Sequence, residues 1–354
     1  MTDAIDWALA LRVSTRFSGH EPFADSYHYA ALTPDFAELT AIAEERVAET
    51  TGLVSAAGPA RARVVDRPAW IAANLASFQR LLRPLTEKLG DRLGPGPLAP
   101  ITQKIAGAEV GALLGWMSTR VLGQYDLLVA EDESPEDQDL VYYVGPNVLA
   151  LEKRFAFPPR EFRLWLALHE VTHRAQFTGI PWLRTHYLGL VDEVVGAVDP
   201  DPKRFIAAIG RVADDLREGR KPLEDGGLAA VLASPEQRLA LDRVAGLMSL
   251  LEGHGDVTMD RAGADQIPSA ERFGRVLRQR RQQANGLARL LQRLLGLEAK
   301  LAQYEQGEKF IAAVESVGGP RALDAVWEDP ARLPTLAEIR DPAGWLARID
   351  RAAA

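Results

Sequence analysis

Residues 169–173 read His169, Glu170, Val171, Thr172, His173, an H-E-x-x-H run. On a helix, residues four apart stack on one face, so both imidazoles can reach a single ion at about 2.0–2.1 Å. The glutamate beside the first histidine then stands next to the ion, where it can take a proton from water that the metal activates. Coordination lowers the pKa of such water toward about 7, so hydroxide is available at neutral pH. The spacing therefore predicts metal-assisted hydrolysis, with Zn2+ as the ion, His169 and His173 as ligands and Glu170 as general base. The apolar lead-in of Phe162, Leu164, Trp165, Leu166 and Leu168 predicts a buried helix over Pro158–Phe177, ended by Gly179 and Pro181. A rigid helix holds ligand geometry better than a loop does.

A catalytic zinc takes three protein ligands and keeps a fourth position open. The chain has no cysteine, so the third ligand must be a carboxylate or one of the remaining histidines, His20, His28, His186 and His254. The strongest segment runs from Met248 to Asp256 (M-S-L-L-E-G-H-G-D). Glu252 closes an apolar helical run of Leu239, Leu241, Val244, Leu247 and Leu251. A carboxylate on such an element is costly to bury unless it is paired or binds metal. Glu252 is thus the expected third ligand, with His254 as the alternative ligand or an oxyanion donor. Asp256, four residues after Glu252, is placed to orient a ligating histidine from behind. His186, Tyr187 and Arg174 are further candidates for stabilising a tetrahedral oxyanion. Arg174 and Gln176, directly after the second histidine, can equally brace the helix through hydrogen bonds.

Elements that would position these groups can be read along all 354 residues. Hydrophobic residues make up 47% and charged residues 25%, an ordinary globular balance. The net charge of −8 argues against a general nucleic-acid binder. The most apolar stretch, Gly107–Gly123, is interrupted by Glu109 and Arg120 and is too short to span a bilayer. The first residues, M-T-D-A-I-D, lack the basic start of a signal peptide. A cytoplasmic protein is expected, with a peptide or protein substrate and neither membrane nor nucleic acid as partner. No glycine-rich phosphate loop is present.

The first ninety residues read as helices, at Pro34–Thr50 and from an Asp66 cap to about Leu89, with Pro68 in the first turn. Gly94–Pro97 breaks that pattern. Ile101–Val121 reads as a helix with Gly107, Gly111 and Gly115 on one face for close helix packing. Gln124–Ala130 and Leu140–Val144 read as a hairpin joined by the acidic Glu131–Asp139 loop. Leu140–Val144 is either an edge strand that aligns extended substrate or a core strand with Tyr142 or Tyr143 packed inward. Asp199–Pro202 precedes another helix, and Lys221–Ala233 reads as a loop. Ser234, Pro235 and Gln237 form a capping box opening a helix through Leu251. Ala270–Gln306 is helical, with a basic amphipathic face over Glu271–Lys300, and Val326–Ala354 is a tail of short helices. The expected fold is α+β and mostly helical, with a small sheet and the H-E-x-x-H helix. Three regions are expected: 1–97, helical; 98–268, the catalytic core; and 269–354, helical.

Glu252, Gly253 and His254 resemble the N-E-G-[FH] segment of the aminopeptidase-like gluzincins, in which the glutamate is the third zinc ligand. Leu251 stands where those enzymes have Asn, and the separation of 79 residues from His173 is longer than theirs. The wider pattern is more specific. H-E-V-T-H-R-A-Q-F at His169–Phe177, then Pro181, Trp182 and Leu183, follows Y-V-G-P-N at Tyr143–Asn147 and precedes L-E-G-H-G-D-V-T-M-D at Leu251–Asp260. Together these resemble the zincin-like metallopeptidase type 2 family, whose members are often labelled as associated with biosynthesis of a deazaflavin coenzyme. The resemblance implies a zincin-like core and a zinc metallopeptidase. The alternative is a non-catalytic zincin-fold binding protein, linked to deazaflavin coenzyme metabolism through that label alone. A fourth position closed by His254 would favour the alternative, whereas an intact Glu170 favours the hydrolase.

Overall fold

The computed structural model describes residues 4–21, 23–93, 99–127, 138–196, 235–282 and 297–353, which are mostly helical around three short strands. Chain contacts divide it into two units, Met1–Pro181 with Thr258–Phe273, and Trp182–Val257 with Gly274–Ala354.

In the first unit the chain runs through α1 (Trp7–Phe17), α2 (Leu32–Thr51), β1 (Arg61–Val65), α3 (Arg67–Leu93), α4 (Ala99–Ser118), β2 (Gly123–Tyr125), β3 (Leu140–Val144), α5 (Gly145–Phe155) and α6 (Pro159–Gly179). The sheet order is β1-β3-β2, with β1 parallel and β2 antiparallel to β3. β3 is therefore the central strand, and all five of its residues are buried. A strand covered on both faces reads as a continuous apolar run, which is what L-V-Y-Y-V is. Of the two roles open to Leu140–Val144, the core role holds, with Tyr143 fully buried. The two edges of the sheet are β1 and β2.

Side chains alternate across the sheet. Leu140, Tyr142 and Val144 join Val65 in a cluster with Ala10, Trp70, Ile71, Leu75 and Leu114. On the opposite face Phe36 of α2 stacks on Tyr143, with ring centroids 3.8 Å apart and planes at 13°, and Thr40 Oγ1 meets the Tyr143 hydroxyl at 2.8 Å. The glycines of α4 pack as expected. A Cβ at Gly107, Gly111 or Gly115 would fall 2.4, 2.5 or 2.6 Å from the carbonyl oxygens of Asp6, Ala10 or Ser14 on the α1 side. Asp66 caps α3 by accepting from Ala69 N–H at 2.7 Å.

The all-helical reading of the first ninety residues is corrected by β1. R-A-R-V-V carries two arginines in five residues and pairs with a strand 79 positions away, so its local pattern gives no strand signal. Gly94–Pro97, most of the acidic loop, Asp199–Pro202, Lys221–Ala233 and the Ser234 cap lie outside the described residues, as does 283–296 of the basic helical stretch.

The second unit holds α7 (Leu183–Gly196), most of α8 (Pro235–Gly263) and α9 (Ala270–Gln282), then α10 (Leu297–Gly318), α11 (Leu336–Arg340) and α12 (Pro342–Ala353). Leu250 of α8 packs with Phe310, Ile311, Val314, Leu323, Val326, Ile339 and Trp345. α8 does not stop at Leu251 as the sequence suggested. Gly253 and Gly255 continue it, and Glu252 is mid-helix. Gly253 is there for contact. A Cβ on it would lie 2.4 Å from the carbonyl carbon of Gly307, and one on Gly307 would lie 2.0 Å from Ser249 O. Two glycines thus let α8 and α10 cross backbone to backbone. Among the described residues no helix is long and apolar enough to cross a membrane.

Candidate metal centre

α6 starts at Pro159, with Glu161 in its first turn where a negative charge suits the helix dipole, and buries nearly every side chain from Phe162 to Gln176. Arg163 holds it to α5 through a bidentate pair with Glu152, both contacts 2.8 Å, and also pairs with Asp35 of α2. Arg174 holds the other end. It is 1% exposed, and its guanidinium reaches Glu44 of α2 at 2.7 Å, Asp139 at 2.6 Å and Gly58 O at 2.7 Å. Arg174 projects roughly 100° round the helix from His173, so it braces the back of α6 and is removed from the oxyanion candidates. A cavity of about 240 Å³, lined in part by Glu44, Val54, Val171 and Arg174, lies on this same back face.

The front face carries the histidines. His169 Nε2 and His173 Nε2 face each other at 3.3 Å, with ring planes at 84°. Two nitrogens bound to zinc at 2.0–2.1 Å with a tetrahedral angle between them lie roughly 3.3–3.4 Å apart, so the pair fits one ion without rearrangement. His173 Nδ1 donates to Gln176 Oε1 at 3.0 Å, which places the ring proton there and leaves the Nε2 lone pair toward the site. Gln176 is fully buried, and its amide oxygen orients the ring of a candidate ligand, a role beyond the helix bracing that its place in the sequence suggested.

Glu170 is 8% exposed and leans on Gly123 of β2. Its charge is felt by Tyr143. Burial drives that phenol far above its usual value, the Thr40 hydrogen bond opposes the rise, and the Glu170 carboxylate adds to it. Tyr143 therefore stays protonated.

Among the described residues, one group of ligand-type side chains could hold a metal ion. His169, His173 and Glu252 each offer a ligand atom, and these atoms all lie within 4.8 Å of one another. Glu252 is buried on α8, and its negative charge, after burial, helps raise the Tyr187 phenol above its usual value. Tyr187 is thus a protonated donor close to the Glu252 carboxylate. His254 is outside the ligand group; its ring packs edge-on against Trp327 at 5.2 Å. Asp256 is half-buried one helical turn after Glu252. His186 packs edge-on against Trp182, and burial followed by the nearby Arg243 charge lowers its pKa. His28 faces Lys153 Nζ at 3.0 Å, and His20 is exposed.

This chain matches the Zincin-like metallopeptidase family over residues 5–346 and belongs to it. It is also similar to a crystal structure from Chloroflexus aurantiacus, described as a proposed hydrolase with a novel fold. The two share 31% identity and a TM-score of 0.70, over 98% of this chain and 99% of that one. No curated protein matches the chain. Family and structural relative together support a hydrolase with a metal site. The two histidine nitrogens and one carboxylate are the donor set that zinc takes in such proteins.

Proposed function

We propose that the protein is a zinc-dependent peptidase in which His169, His173 and Glu252 hold the ion and Glu170 is the general base. The observation that carries this reading is the pair of Nε2 atoms at 3.3 Å with a third, anionic ligand atom within 4.8 Å of both. Zinc, when bound, supplies Lewis acidity that brings water to its reactive form near neutral pH. The chain's own residues do the rest. Gln176 fixes the tautomer and ring angle of His173. Glu170, adjacent to the first ligand and nearly buried, accepts the proton from water and returns it to the departing amine. Tyr187, held protonated near the Glu252 carboxylate, is a candidate donor for the developing oxyanion.

An extended peptide or protein segment suits the open side of β2 as substrate. Val144 N–H bonds to Leu122 O and Asp126 N–H to Leu140 O, both 2.9 Å. Residues 122, 124 and 126 thus face β3, and the backbone groups of Gly123 point to the open edge, where a peptide could add a strand.

The test uses purified protein with about one zinc per chain and a quenched fluorescent peptide library. Glu170→Gln should keep the zinc while hydrolysis falls by about 10²–10⁴-fold. Glu252→Ala should lose most of its zinc affinity. Full hydrolysis in the first variant, or unchanged affinity in the second, would refute the assignment of that residue.

A further inference from the structure

Gly123 opens an edge strand, a place where a glycine costs stability. It gives up backbone entropy and offers no side chain to pack, and such a glycine often marks a close approach. Its backbone does not require glycine. Among the described residues, those with positive φ are Gly19, Gly52, Gly58, Gly319, Phe23, Asp139 and Ala156, and Gly123 is not one of them. Space is therefore the reason to seek. A Cβ built on Gly123 would lie 2.7 Å from Glu170 Cγ, 2.8 Å from Oε1 and 2.9 Å from Cδ. All three nearest atoms belong to one side chain, and it is the side chain proposed as general base. Gln124, next in the strand, points the other way, accepting from Trp70 Nε1 at 2.8 Å and donating to Asn74 Oδ1 at 3.0 Å.

We infer that Gly123 is a positioning residue for Glu170: the missing side chain is the seat on which the base's carboxylate rests, and the strand wall sets how far that carboxylate reaches. The inference rests on the reading of Glu170 as the base. With alanine at 123, Glu170 would have to retreat by roughly 0.7 Å to regain an ordinary carbon–carbon contact of about 3.4–3.5 Å. Its far side is constrained by its own nearly buried position on α6. A misplacement near 1 Å at a reacting group can cost about 10²-fold.

The test is a double-mutant cycle in the zinc-loaded full chain, read as kcat and KM on the quenched peptide library. Gly123→Ala should lower kcat by at least about ten-fold while KM and zinc content stay within about two-fold. Glu170→Asp draws the carboxylate back by one methylene and vacates the space. In that background Gly123→Ala should cost less than about three-fold. Full activity of Gly123→Ala overturns the inference, and so does an equal loss in both backgrounds. Should Gly123→Ala fold only in the Glu170→Asp background, the contact is confirmed as the cause. Should it fold in neither, strand damage independent of Glu170 is the cause and the inference fails. Glu170→Gln separates the two claims, because full hydrolysis there removes Glu170 as base whatever Gly123 does.

Discussion

Replacing Gly307 with alanine tests whether the crossing of α8 and α10 sets the proposed third ligand. The added methyl would lie 2.0 Å from Ser249 O and 3.0 Å from Gly253 Cα. Both are backbone atoms, so no rotamer change relieves the clash. The helices must part by roughly 1 Å or more to restore contact distances of about 3.4–3.5 Å. Overpacking of this kind costs about 1–3 kcal/mol. At about 2–4 °C per kcal/mol, the conversion for larger domains, Tm should fall by roughly 2–12 °C. The displaced backbone is the turn that carries Glu252, since Ser249 and Gly253 flank it on α8. Zinc affinity should therefore drop as it does when a ligand's support is lost, by about 10–100-fold. Differential scanning fluorimetry of the metal-free protein gives the first quantity, and competition with a chromophoric chelator gives the second. A variant that melts within 1 °C of the parent would show that the crossing is compliant and refute the packing argument. A lowered Tm with unchanged zinc affinity would show that Glu252 is placed by something other than this crossing.

Arg174→Met should destabilise the fold by about 3 kcal/mol, because it leaves Glu44 and Asp139 facing each other without their shared cation. A urea midpoint within experimental error of the parent would contradict that. The C-terminal cluster should be acid-sensitive. Burial pushes the Glu338 carboxyl up, but its bonds to Arg348 and Thr335 outweigh this and hold it below its ordinary 4.5. A carboxylate with a depressed folded pKa adds stability that is complete above the unfolded value and is lost as pH falls through the folded one. Loss should thus set in below about pH 4.5, and Glu338→Gln should flatten that part of the profile; identical acid profiles for the two proteins would dismiss the ion pair as its source.

Much of the site could be read from the sequence because its signal is local. His169, Glu170 and His173 are neighbours on one helix, and spacing alone brings their side chains together. Asp66 before Pro68 and the glycine stripe of α4 are local in the same way. What could not be read depends on partners far along the chain. β1 is a strand because β3 is beside it, and R-A-R-V-V says little about that. The apolar run carries this helix only through Leu251, yet it continues past Gly253, where α10 crosses. Gly123 stands in the sequence only as the end of an apolar stretch, and its use appears only when Glu170, 47 positions later, is brought against it. Leu140–Val144 offers the converse lesson. Its unbroken apolar run already contained the sign of a strand covered on both faces.

The first unit is not one continuous stretch of chain, and this has a consequence for how the protein is made. Phe273 packs against Phe157, Phe162 and Trp165 with ring centroids 4.8, 5.2 and 6.0 Å away. Ser269 N–H bonds to Glu161 at 3.0 Å, and Arg272 bonds to Phe155 O at 2.6 Å. All of these contacts seal the start of α6. A ribosome releases the N-terminal 181 residues well before it reaches position 273, and domains tend to fold in the order they emerge. During that interval the root of the histidine helix is an uncovered aromatic surface. The maturing chain must therefore wait for a later segment to close an earlier one, and the histidine pair gains its final support only after Phe273 has been made.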